Sequence, residues 1–230
     1  MGRRVPSNHN LAFEKLGVCD FILVTHPHWD HLMDVAEVVR NTGAVACGSA
    51  NTCKILAADG IPAEQIRHIE VGSQEHLGNF SVQVLPARHI RTPLDRLING
   101  PVRDGLSAPL RLVDYKMDTC FSLLVWSGKT RILFGNYPVR ADILFINPND
   151  PADFYLPFIK KVQPSVVVPI HWDNFFSPLT RPIRPMLNFP AWIFPYINRT
   201  TLGGFKRVIE TSFTSIRVII PRVFDEYNVD

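Results

Sequence analysis

The sequence predicts a layered domain of the α/β or α+β class, and three observations carry that expectation. The chain has 230 residues, 46% of them apolar and 20% charged, enough to bury a sizeable core. Short β-branched apolar runs recur along it, and helical patterns stand between several of these runs. No internal repeat or low-complexity tract interrupts the alternation.

Taken in order, Phe21-Ile22-Leu23-Val24-Thr25 reads as a fully buried strand. A helix follows in which Leu32, Val35, Ala36 and Val39 recur at i, i+3, i+4 and i+7, ending near Asn41 and Gly43. A second short helix runs from about Asn51, read as its N-cap, to Asp59-Gly60. Strands are expected over Phe80–Leu85, Thr119–Trp126, Thr130–Phe134, Ile143–Ile146 and Ser165–Ile170. The turn Ser127-Gly128-Lys129 joins two of them as a hairpin. Asp153–Val162 has a helical pattern, and Ser215–Ile220 reads as the final strand. Arg91–Arg111, rich in Pro, Gly and Arg, and the Pro-rich stretch Pro178–Pro195 read as long loops. Residues 1–230 are expected to form a single domain.

Composition excludes several partners. With 24 Lys and Arg against 21 Asp and Glu, the net charge of +3 gives no basis for nucleic acid or an anionic membrane surface. Cys19, Cys47, Cys53 and Cys120 lack CxxC spacing and read as reduced, buried thiols. Met1–Asn10 is polar with no apolar core of a signal peptide, and Pro185–Ile197 is too short and Pro-broken to span a bilayer. A cytoplasmic protein is expected.

The strongest chemical signal is Thr25-His26-Pro27-His28-Trp29-Asp30-His31, directly after the first strand. In an extended turn, imidazoles at i and i+2 can face one ion. The next carboxylate and imidazole, at the start of a helix, face a second position. Neutral imidazoles with a carboxylate suit Zn, and equally Mn or Fe. The plain alternative is a set of histidines that cap a helix or pack in the core.

This HxHxDH segment resembles the metallo-β-lactamase superfamily. The likeness extends to Val84-Leu85-Pro86-Ala87-Arg88-His89 and to Val166-Val167-Val168-Pro169-Ile170-His171-Trp172-Asp173, from about Val18 to Asp173. It implies an α+β fold, a four-layer αββα sandwich whose N-terminal strands are shortened here, since only about twenty polar residues precede Phe21. It further implies that His26, His28 and His89 hold a first ion, and Asp30, His31 and His171 a second. Among its branches, the likeness leans to the bacterial group around ascorbate-6-phosphate lactonase, through His171-Trp172-Asp173 and the loop ahead of Tyr115-Lys116-Met117-Asp118.

One departure matters for charge. The family expects Gly-Asp after a strand, with the Asp bridging both ions; here Phe134-Gly135-Asn136 stands there. Asn136 is neutral, so the second ion binds more weakly, the site works with one, or Asp142 or another carboxylate takes the role. Metal-assisted hydrolysis is the implied chemistry, with hydroxide generated near neutral pH. In a one-ion site Asp30 serves as general base. Thr25 and Asp173 are candidates for fixing imidazole tautomers. Arg88 is read either as a grip on an anionic substrate or as a structural ion pair. Arg91, Arg96 and Arg103 form either a lid or a mobile surface loop.

His9, His68 and His76 read as surface residues, and Lys160-Lys161 as a solvated helix face. Trp192-Ile193-Phe194-Pro195-Tyr196 reads as core packing or a dimer contact, which leaves a homo-oligomer open. Two function classes stand. The favoured one is a metal-dependent hydrolase of a small ester, lactone or phosphodiester, with one or two Zn ions (Mn or Fe equally served). The other is a catalytically impaired metal-binding relative lacking the bridging aspartate.

Overall fold

In the computed structural model, residues 17–89, 95–172, 201–222 and 225–229 are described. The chain divides into two compact units, Met1–Leu77 with Val84–Phe121, and Gly78–Gln83 with Ser122–Asp230.

The first unit contains a parallel three-stranded sheet in the order β1-β2-β3, formed by β1 (Phe21–Leu23), β2 (Val45–Gly48) and β3 (Ile66–His68). The strand expected first is present but half-buried rather than fully buried, because β1 is the outer strand of this sheet. Burial falls instead on Val24, 3% exposed, just past its end. The expected single helix is two, α1 (Trp29–Leu32) and α2 (Val35–Thr42), separated at Met33-Asp34. The apolar face still runs through both, since Leu32, Val35, Ala36 and Val39 are all buried. Gly43 ends α2 in the left-handed region at φ 76°, its N–H on Val39 O, a conformation a Cβ would strain.

Helix α3 (Ala50–Ala58) is capped by Ser49, whose hydroxyl accepts the Thr52 N–H, and not by Asn51. The reason is that the buried Asn51 side chain is used elsewhere, donating to Gly100 O and Lys116 O. A core of Val24, Leu32, Val39, Ile55, Leu56 and Tyr115 packs the helices, strands and loop together. Within the loop expected over 91–111, residues Asp95–Ile98 form a short helix α4, and Leu112–Asp114 a 3₁₀ turn follows.

A seven-stranded sheet has the order β10-β9-β8-β7-β6-β5-β4. Its strands are β4 (Gln74–Leu77), β5 (Phe80–Pro86), β6 (Phe121–Ser127), β7 (Thr130–Phe134), β8 (Ile143–Ile146), β9 (Val166–Pro169) and β10 (Arg217–Val218). The expected hairpin is there, β6 and β7 pairing antiparallel with Ser127 opposite Thr130. β7, β8, β9 and β10 then run parallel. Helix α5 (Ala152–Val162) connects β8 to β9 and buries Tyr155, Phe158, Ile159 and Val162, leaving Lys160 and Lys161 exposed as expected. Tyr155 meets Phe205 of α6 (Leu202–Ser212) edge to face, with ring centroids 5.2 Å apart.

All four cysteines are free, and only Cys47 is fully buried. No helix among the described residues is long and apolar enough to cross a membrane. His9, Arg91, Asp173 and the stretches Pro178–Pro195 and Trp192–Tyr196 lie outside the described residues.

Candidate metal centre

The chain leaves β1 still tied to its neighbours. Val24 N–H bonds to Cys47 O at 2.9 Å, and Thr25 O accepts the Phe121 N–H at 2.8 Å. His28, extended at φ −66° and ψ 154°, is the N-cap residue of α1. Its carbonyl accepts the N–H groups of His31 and Leu32, both at 3.0 Å. The extended-to-helical switch at His28 thus presents His26 and His28 from the turn, and Asp30 and His31 from the first helical turn. Buried Leu32 anchors that helix in the core.

Three imidazoles from two chain segments meet here. The centroids of His26 and His28 lie 4.7 Å apart at 83°. His89, which follows β5, lies 4.8 Å from His26 and 4.6 Å from His28, again edge to face. One ligand nitrogen from each of the three falls within 4.8 Å of the others. His26 and His28 are 6% and 4% exposed, so a cation among them would be largely removed from water. Two residues before His89, the Ala87 N–H bonds to Cys120 O at 3.1 Å. Converging imidazole nitrogens, when neutral, are the donors that Zn, Mn or Fe take.

The surroundings hold the rings. Thr25 Oγ1 is 3.2 Å from His26 Nδ1, and Cys120 Sγ is 3.9 Å from the same nitrogen. Burial pushes the Cys120 thiol up to about 11, so it stands there as a neutral group. His28 Nε2 is 3.1 Å from Asn99 Oδ1. His31 stacks at a tilt on His26, centroids 4.0 Å apart, and its Nε2 is 3.5 Å from Asp30 Oδ2.

The remaining predicted residues are placed as follows. His171 directly follows Ile170 beyond β9, in the left-handed region at φ 58°. Its carbonyl accepts from Asn149 Nδ2 at 3.2 Å. A non-glycine residue at such a φ is uncommon and strained. Asn136 follows Gly135 past β7, its backbone N–H on Ser122 Oγ. Asp142, the alternative carboxylate, is engaged by Arg131. It forms a bidentate pair with Arg131, at 2.8 Å from Nη2 and 3.2 Å from Nε, and also accepts the Arg131 backbone N–H. Arg88, Arg96 and Arg103 are exposed, with Arg103 Nε 3.6 Å from Asp114 Oδ1. His68 and His76 are exposed, as expected for surface residues.

Nothing in the sequence places Asn99 or Cys120 beside these histidines. Asn99-Gly100 carries a turn signal, but nothing in one sequence links a loop amide to a histidine 71 positions earlier.

Comparison with known proteins bears on this geometry. Residues 3–116, about half of the chain, match the family model described as a beta-lactamase superfamily domain. The chain is 25% identical over 171 residues to a UPF0173 metal-dependent hydrolase of Carboxydothermus hydrogenoformans, covering 68% of each. It is 27% identical over 174 residues to one from Staphylococcus aureus strain JH9, covering 68% of this chain and 69% of that protein. Among solved structures, it is similar to Igni18, a metallo hydrolase of the archaeon Ignicoccus hospitalis. That likeness has a TM-score of 0.56 at 16% identity over 88% of this chain and 76% of the other. It is also similar to the metallo-beta-lactamase fold protein YhfI of Bacillus subtilis, with a TM-score of 0.54 at 13% identity over 88% of this chain and 75% of that one. The likeness in structure is one of fold.

Proposed function

Because the chain belongs to the metallo-β-lactamase superfamily, we propose that it is a metal-dependent hydrolase of a small ester, lactone or phosphodiester. The observation that carries this reading is the triangle of His26, His28 and His89, with centroids 4.6 to 4.8 Å apart. The relatives named as metal-dependent hydrolases support the same reaction class.

In this reading His26, His28 and His89 hold the first ion, and Asp30, His31 and His171 are assigned to a second on the family's pattern. The ion is Zn, with Mn or Fe served by the same donors. A bound divalent ion supplies Lewis acidity, acidifying a water towards neutral pH and polarising the substrate oxygen. The protein's own groups do the rest. Asp30, half-buried on the first turn of α1, takes the proton as general base in a one-ion site. Thr25 Oγ1 holds His26 Nδ1 and so leaves Nε2 as that ring's donor atom. Asp173 and Arg88 keep their proposed roles, the first towards a ligand imidazole and the second towards an anionic substrate group.

Several finer points belong to the same proposal. Residues 1–230 act as one domain, supported by the fold likeness over 88% of the chain. The protein is cytoplasmic, with a small-molecule substrate and neither nucleic acid nor membrane as partner, in keeping with its net charge of +3. A lactone of the kind taken by the ascorbate-6-phosphate lactonase branch is the narrowest substrate proposal, and a homo-oligomer is compatible with it. The second reading, an impaired metal-binding relative, rests on one observation: Asn136 stands where the family carries its bridging aspartate.

The test is metal content by elemental analysis, followed by hydrolysis of a chromogenic ester and a bis-aryl phosphodiester with added Zn or Mn. Activity abolished by His28→Ala but retained in His76→Ala supports the hydrolase reading. Activity surviving both substitutions overturns the site. Bound metal with no turnover of any substrate class leaves the impaired relative.

A further inference from the structure

We propose that Asn99 is a positioning residue for the metal centre: it fixes the tautomer and the ring plane of His28. The inference rests on the metal reading above and adds a residue to it.

An amide oxygen can only accept a hydrogen bond. With Asn99 Oδ1 at 3.1 Å from His28 Nε2, the single proton of the neutral imidazole belongs on Nε2. The lone pair is then on Nδ1, and that nitrogen is the donor His28 offers to an ion. The opposite tautomer would put a proton on Nδ1 and set Nε2 against an oxygen lone pair.

The amide is itself held in place. Asn99 closes the short helix α4, its N–H on Asp95 O at 2.9 Å. It pairs with Met117 across an isolated bridge, reinforced by Gly100 N–H to Met117 O at 2.9 Å and Met117 N–H to Ile98 O at 2.8 Å. Both sides of that bridge are then clamped by one side chain. Asn51, 4% exposed in α3, donates to Gly100 O at 2.9 Å and to Lys116 O at 2.8 Å. Its own N–H bonds to Asp118 Oδ2 at 2.9 Å, and Ser49 Oγ donates to Asp118 Oδ1 at 2.6 Å. A chain of hydrogen bonds thus runs from the start of α3 through the 99–118 segment to His28. Groups that orient a ligand imidazole in this way are worth about 10- to 100-fold in metal affinity.

The first measurement needs no variant and no metal. Long-range proton–nitrogen correlation spectra of the metal-free protein, above the titration range of imidazole, report which nitrogen of His28 carries the proton. Protonated Nε2 is expected, and protonated Nδ1 overturns the proposal. Zn is then titrated into the protein against a chromophoric chelator. Asn99→Ala is expected to weaken the first ion by about 10- to 100-fold with an unchanged far-UV circular dichroism spectrum. Asn99→Asp, which keeps an acceptor, is expected to restore affinity to near the wild-type value. Wild-type affinity in Asn99→Ala overturns the proposal. If the wild-type protein binds no Zn, the metal reading fails, and the tautomer spectra of Asn99→Ala against wild type still decide the role of Asn99: a larger share of the Nδ1–H form in the variant is expected, and an unchanged tautomer overturns the proposal.

Discussion

The hydroxyl oxygen of Ser122, on β6, accepts the backbone N–H of Asn136 at 3.0 Å and then that of Tyr137 at 3.1 Å. One fully buried side chain therefore shapes the turn that leaves β7 and carries Asn136, the residue proposed for the bridging position. Ser122→Ala removes the one acceptor of both bonds and leaves two N–H groups to find others. The expected cost is about 1–3 kcal/mol. It should appear as a lower urea midpoint and as faster hydrogen exchange at Asn136 and Tyr137. An unchanged midpoint with unchanged exchange would mean that the hydroxyl does not hold the turn.

Gly135 makes the same turn dependent on a missing Cβ. Its φ is 124°, and a Cβ built there would lie 2.5 Å from Ser122 Oγ and 3.0 Å from Ser122 Cα. The second contact is with backbone, so no rotamer change relieves it. Gly135→Ala combines a disfavoured φ with that clash, and a loss of at least about 2 kcal/mol is expected. Chemical unfolding checks it, and a loss below that of an exposed Gly60→Ala control would contradict the close approach.

Asn136 invites the converse experiment. An amide cannot offset the repulsion of two cations held close together, whereas a carboxylate can. Asn136→Asp is therefore expected to raise the number of Zn ions retained per chain, or to tighten the weaker of two. Elemental analysis after dialysis measures the first, and chelator competition the second. If the wild-type chain already holds two ions and the variant is no tighter, position 136 is not the bridging one.

How much of this was legible in the sequence follows from what each feature depends on. The hairpin at Ser127–Thr130, the strands Thr130–Phe134 and Ile143–Ile146 and the helix ending at Val162 are written in local patterns, and they fold at those positions. So is HxHxDH, since its spacing and its place after a strand are both local. β2, β3 and β4 carry few β-branched residues and leave no local signature, because their pairing and not their propensity makes them strands. Helix α6 opens with Leu202-Gly203-Gly204, two glycines that mask its amphipathic face. Asn51 reads as a cap from its residue type alone. Its amide is instead consumed by Gly100 and Lys116, about fifty to sixty-five positions away, and only the folded chain brings these together. Asn99 escapes notice for the same reason.

The pair Asp142–Arg131 gives stability a defined pH dependence. The Arg131 guanidinium, helped by its backbone N–H, holds the Asp142 carboxyl below the usual carboxylate range. A depressed folded pKa means that the stabilisation is full above the unfolded value of about 3.9 and fades as the pH falls through the folded one. Both side chains are about a third exposed, so the pair is worth no more than about 1 kcal/mol. Asp142→Asn is expected to lower stability by up to that amount at pH 7, with the difference from wild type closing below about pH 4. A difference that persists unchanged at pH 2.5 would assign the effect to packing and not to charge.

Cys47 and Cys53 separate two causes of thiol protection. Burial pushes both thiols up to about 11, and the residues differ in access, Cys47 being fully buried and Cys53 half-buried. The thiolate is the reactive form. At pH 8 a thiol with a pKa of about 11 is roughly 0.1% ionised, against about a quarter for an ordinary cysteine near 8.5. Modification of Cys53 by a disulfide reagent at pH 8 should therefore run on the order of 100-fold slower in the native protein than in the unfolded chain. Cys47 should be slower still, because its sulfur must also be uncovered by local opening of β2. Raising the pH towards 10 should speed Cys53 about tenfold per unit while changing the relative order little. Mass spectrometry of the modified peptides over time resolves the two sites. Equal rates for Cys53 in the native and unfolded states would show that its surroundings do not suppress the thiolate.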